Sequence, residues 1–199
     1  MERLTYWKSG VVFLTALFVW AFVVGWSFGY WPFKMPHLTG ADVGWAAGAL
    51  AVCFGLRWAA RMVRSEEELR KLSVFERAPR NAVEMAWFCA AAVLAGIAEE
   101  TAYRGVGWQI GWYSLGDPWS SAAILSFAFA LAHWNQGWKS GVVILVFAVV
   151  FHVLVAMTET LVLAMVVHAV YDLIAGALIQ TQAREFDREK EARENGPIV

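Results

Sequence analysis

The sequence lacks an excess of charge of either sign: charged residues make up 17% of its 199 residues, and the formal net charge is -1. Proteins that bind nucleic acid typically carry a basic surface, so nothing here points to nucleic acid as a partner. Cysteine is scarce as well, with only Cys53 and Cys89, which both fall in apolar stretches without a CxxC spacing. A disulfide framework is therefore not expected, and we interpret both as small buried apolar residues.

Apolar residues are abundant by contrast, at 59% of the chain, with a mean hydropathy of +0.50. Several apolar runs reach the roughly 20 residues that cross about 30 Å of hydrocarbon. We therefore predict an all-α integral membrane protein, a polytopic bundle of about six transmembrane helices. The first run is too long for a signal peptide, and we interpret it as a retained span. The predicted segments are 10–30, 40–60, 82–113, 119–137, 141–157 and 160–181.

The distribution of Lys and Arg predicts the orientation of this bundle. With the N-terminus inside, 14 of the 16 basic residues fall on that side, seven of them within 57–80. Such an excess is the positive-inside signal, so both termini are expected to be cytoplasmic. We expect the membrane to be a bacterial inner (plasma) membrane. The two basic residues that fall elsewhere are Lys34 and Arg104.

The polarity of the chain predicts three regions. Residues 1–81 hold two N-terminal spans and a basic cytoplasmic connection, whose part from 57 to 80 suits a short amphipathic helix at the membrane surface. Residues 82–181 form a four-helix core. Residues 182–199 form a charged cytoplasmic tail, which is either frayed or a helical extension into water.

Charged residues lie inside the third predicted span, where they are costly. Glu99, Glu100 and Arg104 fall there, and a single charge at mid-membrane costs about 3 kcal/mol by insertion scales. Glu100 and Arg104 are four residues apart with the acid first, which is a favourable pairing on a helix. Glu99 lies about 100° around the helix and can point elsewhere. The three residues indicate a functional site, or else a buried charge cluster that fixes helix packing.

Ionisable residues recur in the later spans. His168 and Asp172 are four residues apart and share a helix face. Glu99 and His133 each lie 17 residues from the centre of the turn between the third and fourth spans. At 1.5 Å per residue both are expected about 25 Å from that turn, at matching depth. A Glu, two His and an Asp can therefore converge in the bundle, whereas His152 has no partner and is interpreted as structural.

Three short motifs resemble those of the CPBP family of CAAX proteases and bacteriocin-processing enzymes (Abi), which are glutamic-type intramembrane proteases. Residues 99–104 resemble its EExxxR motif, 129–133 its FxxxH motif, and 168–172 its HxxxN/D motif. Each motif is weak alone, but all three occur in the family's order on apolar helices. The resemblance covers about 82–180.

The resemblance implies an endopeptidase that hydrolyses a peptide bond of a membrane-anchored or lipidated protein, with the lipid bilayer as its surroundings and no cofactor. It implies that Glu99 is the general base and that His133 holds the attacking water. It assigns the stabilisation of the oxyanion to His168 and Asp172. No Ser or Cys nucleophile lies near the motifs, so direct attack by water is the simpler mechanism.

The remaining motif residues, Glu100 and Arg104, are implied to support the site rather than to do chemistry. Asp172 departs from the type II CAAX prenyl endopeptidases, which usually carry Asn at this position. Asn donates a hydrogen bond to an oxyanion and an ionised Asp cannot, so Asp172 is either protonated or only orients His168. The substitution argues against a prenylated substrate more than against hydrolysis.

Three other interpretations remain open. In the first, Glu99, His133, His168 and Asp172 are the ligands of a zinc-dependent membrane protease, because N and O donors of these types bind zinc. In the second, the protein is a non-catalytic immunity or scaffold protein in which the motifs only pack helices. In the third, it is a transporter or channel with a Glu and His proton relay, although paired broken segments are not seen in corresponding halves.

Overall fold

The computed structural model describes residues 2–33 and 37–194, which are helical with no strand in these ranges. Lys34, predicted outside, and the last five residues of the predicted tail lie outside the described residues. A π-helical segment, Glu100–Gly107, joins α5 to α6, and a 3-10 turn, Trp134–Gln136, precedes α8. The helices are α1 (Arg3–Ser27), α2 (Gly40–Met62), α3 (Glu66–Arg70), α4 (Ser73–Arg77), α5 (Ala82–Glu99), α6 (Trp108–Leu115), α7 (Pro118–Ala132), α8 (Trp138–Thr158) and α9 (Leu161–Glu194).

The prediction of a polytopic helical membrane protein is confirmed. Within the described residues, five stretches are long and apolar enough to cross a membrane: α1, α2, the continuous run Ala82–Leu115, α8 and α9. The predicted span 119–137 is shorter in the structure, because α7 has 15 residues and is therefore about 22 Å long. Helix α7 ends at Ala132, and Gly137, with a φ of 87°, lies in the turn before α8.

Large apolar side chains on the outer faces of the bundle are exposed. Trp20 is 60% exposed, Phe127 58% and Val149 46%. In a soluble protein such faces would mark partner surfaces, but on helices of spanning length the apolar solvent is lipid. The protein is therefore an integral membrane protein, with its polar interactions inside the bundle and at its ends.

Two glycines let α5 and α9 approach closely in the centre of the bundle. A Cβ at Gly96 would lie 2.7 Å from the carbonyl oxygen of Met165, and a Cβ at Gly176 would lie 1.9 Å from the Phe88 ring. Both distances are far below van der Waals contact. The close crossing brings the C-terminal end of α5 against the middle of α9, where the motif residues lie.

The prediction of one amphipathic helix over 57–80 is wrong. Helix α2 continues to Met62, and Ser65 then starts α3 with a capping box in which Ser65 and Glu68 bond each other's backbone N–H groups. A new N-cap of this kind separates α3 from α2. We call residues 65–80, which contain α3 and α4, the strap. Apolar side chains of the strap pack on the far part of α9; they are Leu69, Phe75 and Ala78.

Ion pairs hold the strap at both sides of the bundle. Lys139 Nζ lies 2.9 Å from a carboxylate oxygen of Glu68, and Arg80 Nε lies 2.6 Å from that of Asp187. The hydrogen bond from Lys139 also holds the pKa of Glu68 below its ordinary value. The Trp7 indole N–H donates to the Arg77 carbonyl at 3.1 Å, so α1 starts at the same end. We call this the strap end; the positive-inside rule predicts that it is cytoplasmic.

The tail is helical to Glu194, and its helix is continuous with the last span. The Phe186 ring packs edge-on against Phe75 at 5.2 Å, and the Arg70 guanidinium lies 4.2 Å from its centroid. We expect Phe186→Ser to release the tail from the strap and to raise its rate of trypsin cleavage about tenfold, as loss of one partly buried aromatic contact would. An unchanged rate, with Glu191→Ser as the exposed control, would show that the tail is not held there.

Candidate active site

The three acidic and basic residues of the third span lie at the junction of α5 and the π-helical segment. Glu100 and Arg104 are fully buried, with exposures of 0% and 1%, and Arg104 Nη1 donates to Glu100 Oε1 at 3.1 Å. The pairing predicted from the four-residue spacing is therefore present. A buried charge pair of this kind needs further hydrogen bonds to offset its loss of hydration.

Those further contacts come from other helices. Arg104 Nη2 donates to the Ala148 carbonyl oxygen of α8 at 3.3 Å. The guanidinium lies 4.5 Å from the ring centroid of Phe129 in α7 and 5.6 Å from that of Phe151 in α8. Arg104 thus fixes the π-helical segment against both helices, and Phe129 of the FxxxH motif forms one wall of its pocket.

No pattern in the sequence indicates the π-helical segment. Its backbone widens between Glu100 and Gly107, and such segments occur often at functional sites. A Cβ at Gly107 would lie 2.7 Å from the Ala102 carbonyl oxygen, so the wide turn requires a glycine there. The widening changes the directions in which the side chains of the EExxxR motif leave the helix.

His168 contacts all three carboxylates of the site. Its Nδ1 lies 2.7 Å from Glu100 Oε1, the same oxygen that accepts from Arg104. Its Nε2 lies 3.9 Å from Glu99 Oε2 and 3.6 Å from Asp172 Oδ2. Glu100 therefore orients the imidazole through Nδ1 and aims Nε2 at the space between Glu99 and Asp172.

His133 reaches the site from the C-terminal end of α7. Its Nδ1 lies 2.8 Å from the Phe129 carbonyl oxygen, which can only accept, so Nδ1 carries the proton and donates. The ring lies 4.6 Å from the Phe129 ring. This hydrogen bond leaves Nε2 unprotonated in the neutral ring and able to accept from a ligand or water.

A cavity of about 780 Å³ opens beside these residues and runs toward the strap end. Apolar side chains of α1, α2, α5, α8 and α9 and the strap line most of it, and charged or polar side chains line the rest. A largely apolar cavity with a few convergent polar groups is the usual form of a ligand site. The ionisable motif side chains that line it are those of Glu99, Arg104, His133, His168 and Asp172, and Phe129 of the FxxxH motif lines it as well.

His152 does not belong to this cavity. It is 1% exposed, its Nδ1 lies 2.9 Å from the Ala148 carbonyl oxygen and 3.2 Å from Ser126 Oγ, and its ring packs edge-on against Trp108 at 5.5 Å. These contacts link α7, α8 and α6 behind the charge pair. The sequence did not reveal these partners of His152, and the contacts fit a role in helix packing.

Among the described residues, no three His, Cys, Asp or Glu side chains are placed together to hold a metal ion. Nδ1 of His168 is already bonded to Glu100. His133 lines the same cavity as the other three residues of the zinc hypothesis.

Fold and site together define a class: a polytopic helical membrane protein in which Glu, His and Asp side chains meet inside the bundle and open into a largely apolar cavity. The family model described as type II CAAX prenyl endopeptidase Rce1-like matches residues 81–174. This match confirms the resemblance to the CPBP family over the segment that carries all three motifs. Comparison with curated proteins and with solved structures found no match. The match supports a membrane endopeptidase acting on a protein substrate.

Proposed function

We propose that the protein is a glutamate-dependent intramembrane endopeptidase that cleaves membrane-anchored or lipidated protein substrates. The observation that carries the proposal is the position of His168 between Glu99, Glu100 and Asp172 at one end of the apolar cavity. One imidazole nitrogen is held by a buried carboxylate, and the other faces the space where a scissile peptide can lie.

In the proposed reaction Glu99 and His133 Nε2 hold a water molecule. The water transfers a proton to Glu99, and its oxygen attacks the carbonyl carbon of the substrate. The carbonyl oxygen becomes an oxyanion, which accepts a hydrogen bond from His168 Nε2–H when both ring nitrogens carry protons. The C–N bond then breaks, and the leaving nitrogen takes the proton from Glu99.

Glu100, Arg104 and Asp172 are positioning residues in this scheme. Glu100 holds His168 through Nδ1, and Arg104 holds Glu100. Asp172 lies 3.6 Å from His168 Nε2 and can share its proton before the oxyanion forms. This role for Asp172 accounts for an acid at the position where the resembled enzymes usually carry Asn, without requiring it to donate a hydrogen bond.

The test is cleavage of fluorogenic transmembrane and lipidated peptides by purified wild type and by Glu99→Gln, with and without a chelator. We expect cleavage by wild type, a loss of about 10³-fold in kcat in Glu99→Gln, and no effect of the chelator. Gln keeps the volume and removes the base, and Glu191→Gln in the exposed tail is the matched control. Because CAAX motifs are prenylated at cysteine, the peptides include prenylated ones.

Three results would overturn this mechanism. Activity lost on chelation and restored by zinc would move the assignment to a zinc protease with Glu99, His133, His168 and Asp172 as ligands. Full activity in a folded Glu99→Gln variant would exclude Glu99 as the base. A biological role that survives Glu99→Gln without any peptide cleavage would favour the immunity or scaffold interpretation.

A further inference from the structure

The cavity is unevenly charged along its length. The carboxylates of Glu99 and Asp172 lie at its inner end, whereas Arg57 and Arg61 of α2, and Arg64 just beyond the end of that helix, contribute to its wall. Arg57 and Arg61 share one face of α2, because they are four residues apart, and Arg64 follows in the turn after the helix. An occupant of the cavity therefore meets acids and imidazoles at one end and guanidinium groups toward the strap end.

Arg57 differs from its neighbour Arg64 in its partners. Arg64 donates to the Ala60 carbonyl oxygen at 3.1 Å and to Ser140 Oγ at 3.0 Å, so its hydrogen bonds tie α2 to α8. Arg57 is half-buried, and no carboxylate lies within 4.0 Å of it in the described parts of the chain. Its charge is therefore directed to the cavity without a counter-ion of the protein's own.

Tyr171 sets the position of the Arg57 guanidinium. The two side chains are neighbours, and the Tyr171 ring is fixed by Phe147 and Phe54, whose centroids lie 5.0 and 5.1 Å away. Tyr171 directly precedes Asp172 and follows His168 by three residues. Arg57 therefore lies beside the same segment of α9 that carries His168 and Asp172.

A half-buried guanidinium that lacks a carboxylate has lost part of its hydration without gaining an ion pair. Its planar fork matches a carboxylate in a bidentate arrangement. We infer that Arg57 binds a carboxylate of the peptide substrate on the strap-end side of the scissile bond. The inference rests on the proposed function and adds to it a specificity residue, for either a free C-terminus or an acidic side chain close to the cleaved bond.

The test uses pools of farnesyl-cysteine peptides that end in three randomised apolar residues. One pool has a free C-terminal carboxylate, and a second has a C-terminal carboxamide. A third has a C-terminal carboxamide and Asp as its last residue. Binding is measured to Glu99→Gln in uncharged-lipid nanodiscs, and cleavage is measured with wild type. We expect at least tenfold tighter binding of one carboxylate-bearing pool over the plain carboxamide pool. We expect Arg57→Gln to abolish that preference, and Arg61→Gln, one turn away, to change it less than threefold.

The binding measurement separates this inference from the proposed function, because binding to Glu99→Gln does not require cleavage of the peptide. A carboxylate preference that disappears in Arg57→Gln supports the inference even if no peptide is cleaved. The preference for the carboxylate or the Asp pool identifies which carboxylate is bound. Equal binding of all pools overturns the inference, as does a uniform loss in Arg57→Gln, which would make Arg57 structural. If Arg57→Gln changes only the interaction with phosphatidylglycerol nanodiscs, then Arg57 contacts a lipid phosphate. That result would also overturn the inference.

Discussion

Replacing Arg104 with alanine is expected to lower the free energy of unfolding by about 3–5 kcal/mol, because it leaves the carboxylate of Glu100 buried without its cation. Glu100 is 0% exposed and has no other basic partner than Arg104 and His168 within 4.0 Å in the described residues. The loss also removes the hydrogen bond to Ala148. Unfolding in mixed detergent and dodecyl sulfate micelles, followed by tryptophan fluorescence, measures the change.

A double variant separates the stability of the pair from its effect on the site. Glu100→Gln with Arg104→Met removes both charges and roughly conserves volume, so we expect most of the lost stability to return. Gln still offers an oxygen to His168 Nδ1, but it no longer carries the charge that holds the imidazole. Peptide cleavage is therefore expected to stay about tenfold or more below wild type. Arg193→Ala in the exposed tail is the control.

The outcome would decide between two interpretations of the charged motif. If the double variant regains both stability and cleavage, then Glu100 and Arg104 only pack the bundle. If Arg104→Ala unfolds as readily as Arg193→Ala, then the buried pair does not stabilise the protein. Recovery of stability without recovery of activity is the result that the contact between Glu100 and His168 predicts.

The side chains of the site could be predicted from sequence because each of them is anomalous on its own helix. Glu99, Glu100 and Arg104 are costly in an apolar span, and the cost alone predicts that they face inward and find partners. The four-residue spacing predicted the Glu100–Arg104 contact, which depends only on local helix geometry. The contacts of His168 follow from the same reasoning, although their distances depend on how closely α5 and α9 approach.

Features that depend on contacts distant in sequence could not be predicted. The π-helical segment is accommodated by Gly107 next to the carbonyl of Ala102, and its sequence also fits an ordinary helix. The sequence of the strap is typical of one amphipathic helix, and only the structure shows that its apolar side chains pack on α9. In the sequence Arg57 is only one of many basic residues, because nothing in its neighbourhood reveals that it lines the same cavity as Glu99.

Gly96 provides the second large effect, because it determines how closely the two halves of the site can lie. A Cβ there would lie 2.7 Å from the Met165 carbonyl oxygen and 3.0 Å from the Ala169 backbone nitrogen. Backbone atoms cannot rotate away as a side chain can, so α5 and α9 must separate. The separation moves Glu99 and Glu100 away from His168, and a displacement of about 1 Å costs about 100-fold in rate.

We therefore expect Gly96→Ala to lower kcat about 100-fold and the free energy of unfolding by about 1–3 kcal/mol. On helix propensity alone the same change would be stabilising by about 1 kcal/mol. Gly48→Ala is the matched control: it lies in the spanning helix α2, and a Cβ there meets nothing within 4 Å. We expect Gly48→Ala to leave activity unchanged and stability unchanged or slightly raised. Equal behaviour of the two variants would show that close approach of α5 and α9 does not control the site, whereas loss of activity in Gly96→Ala alone would show that it does.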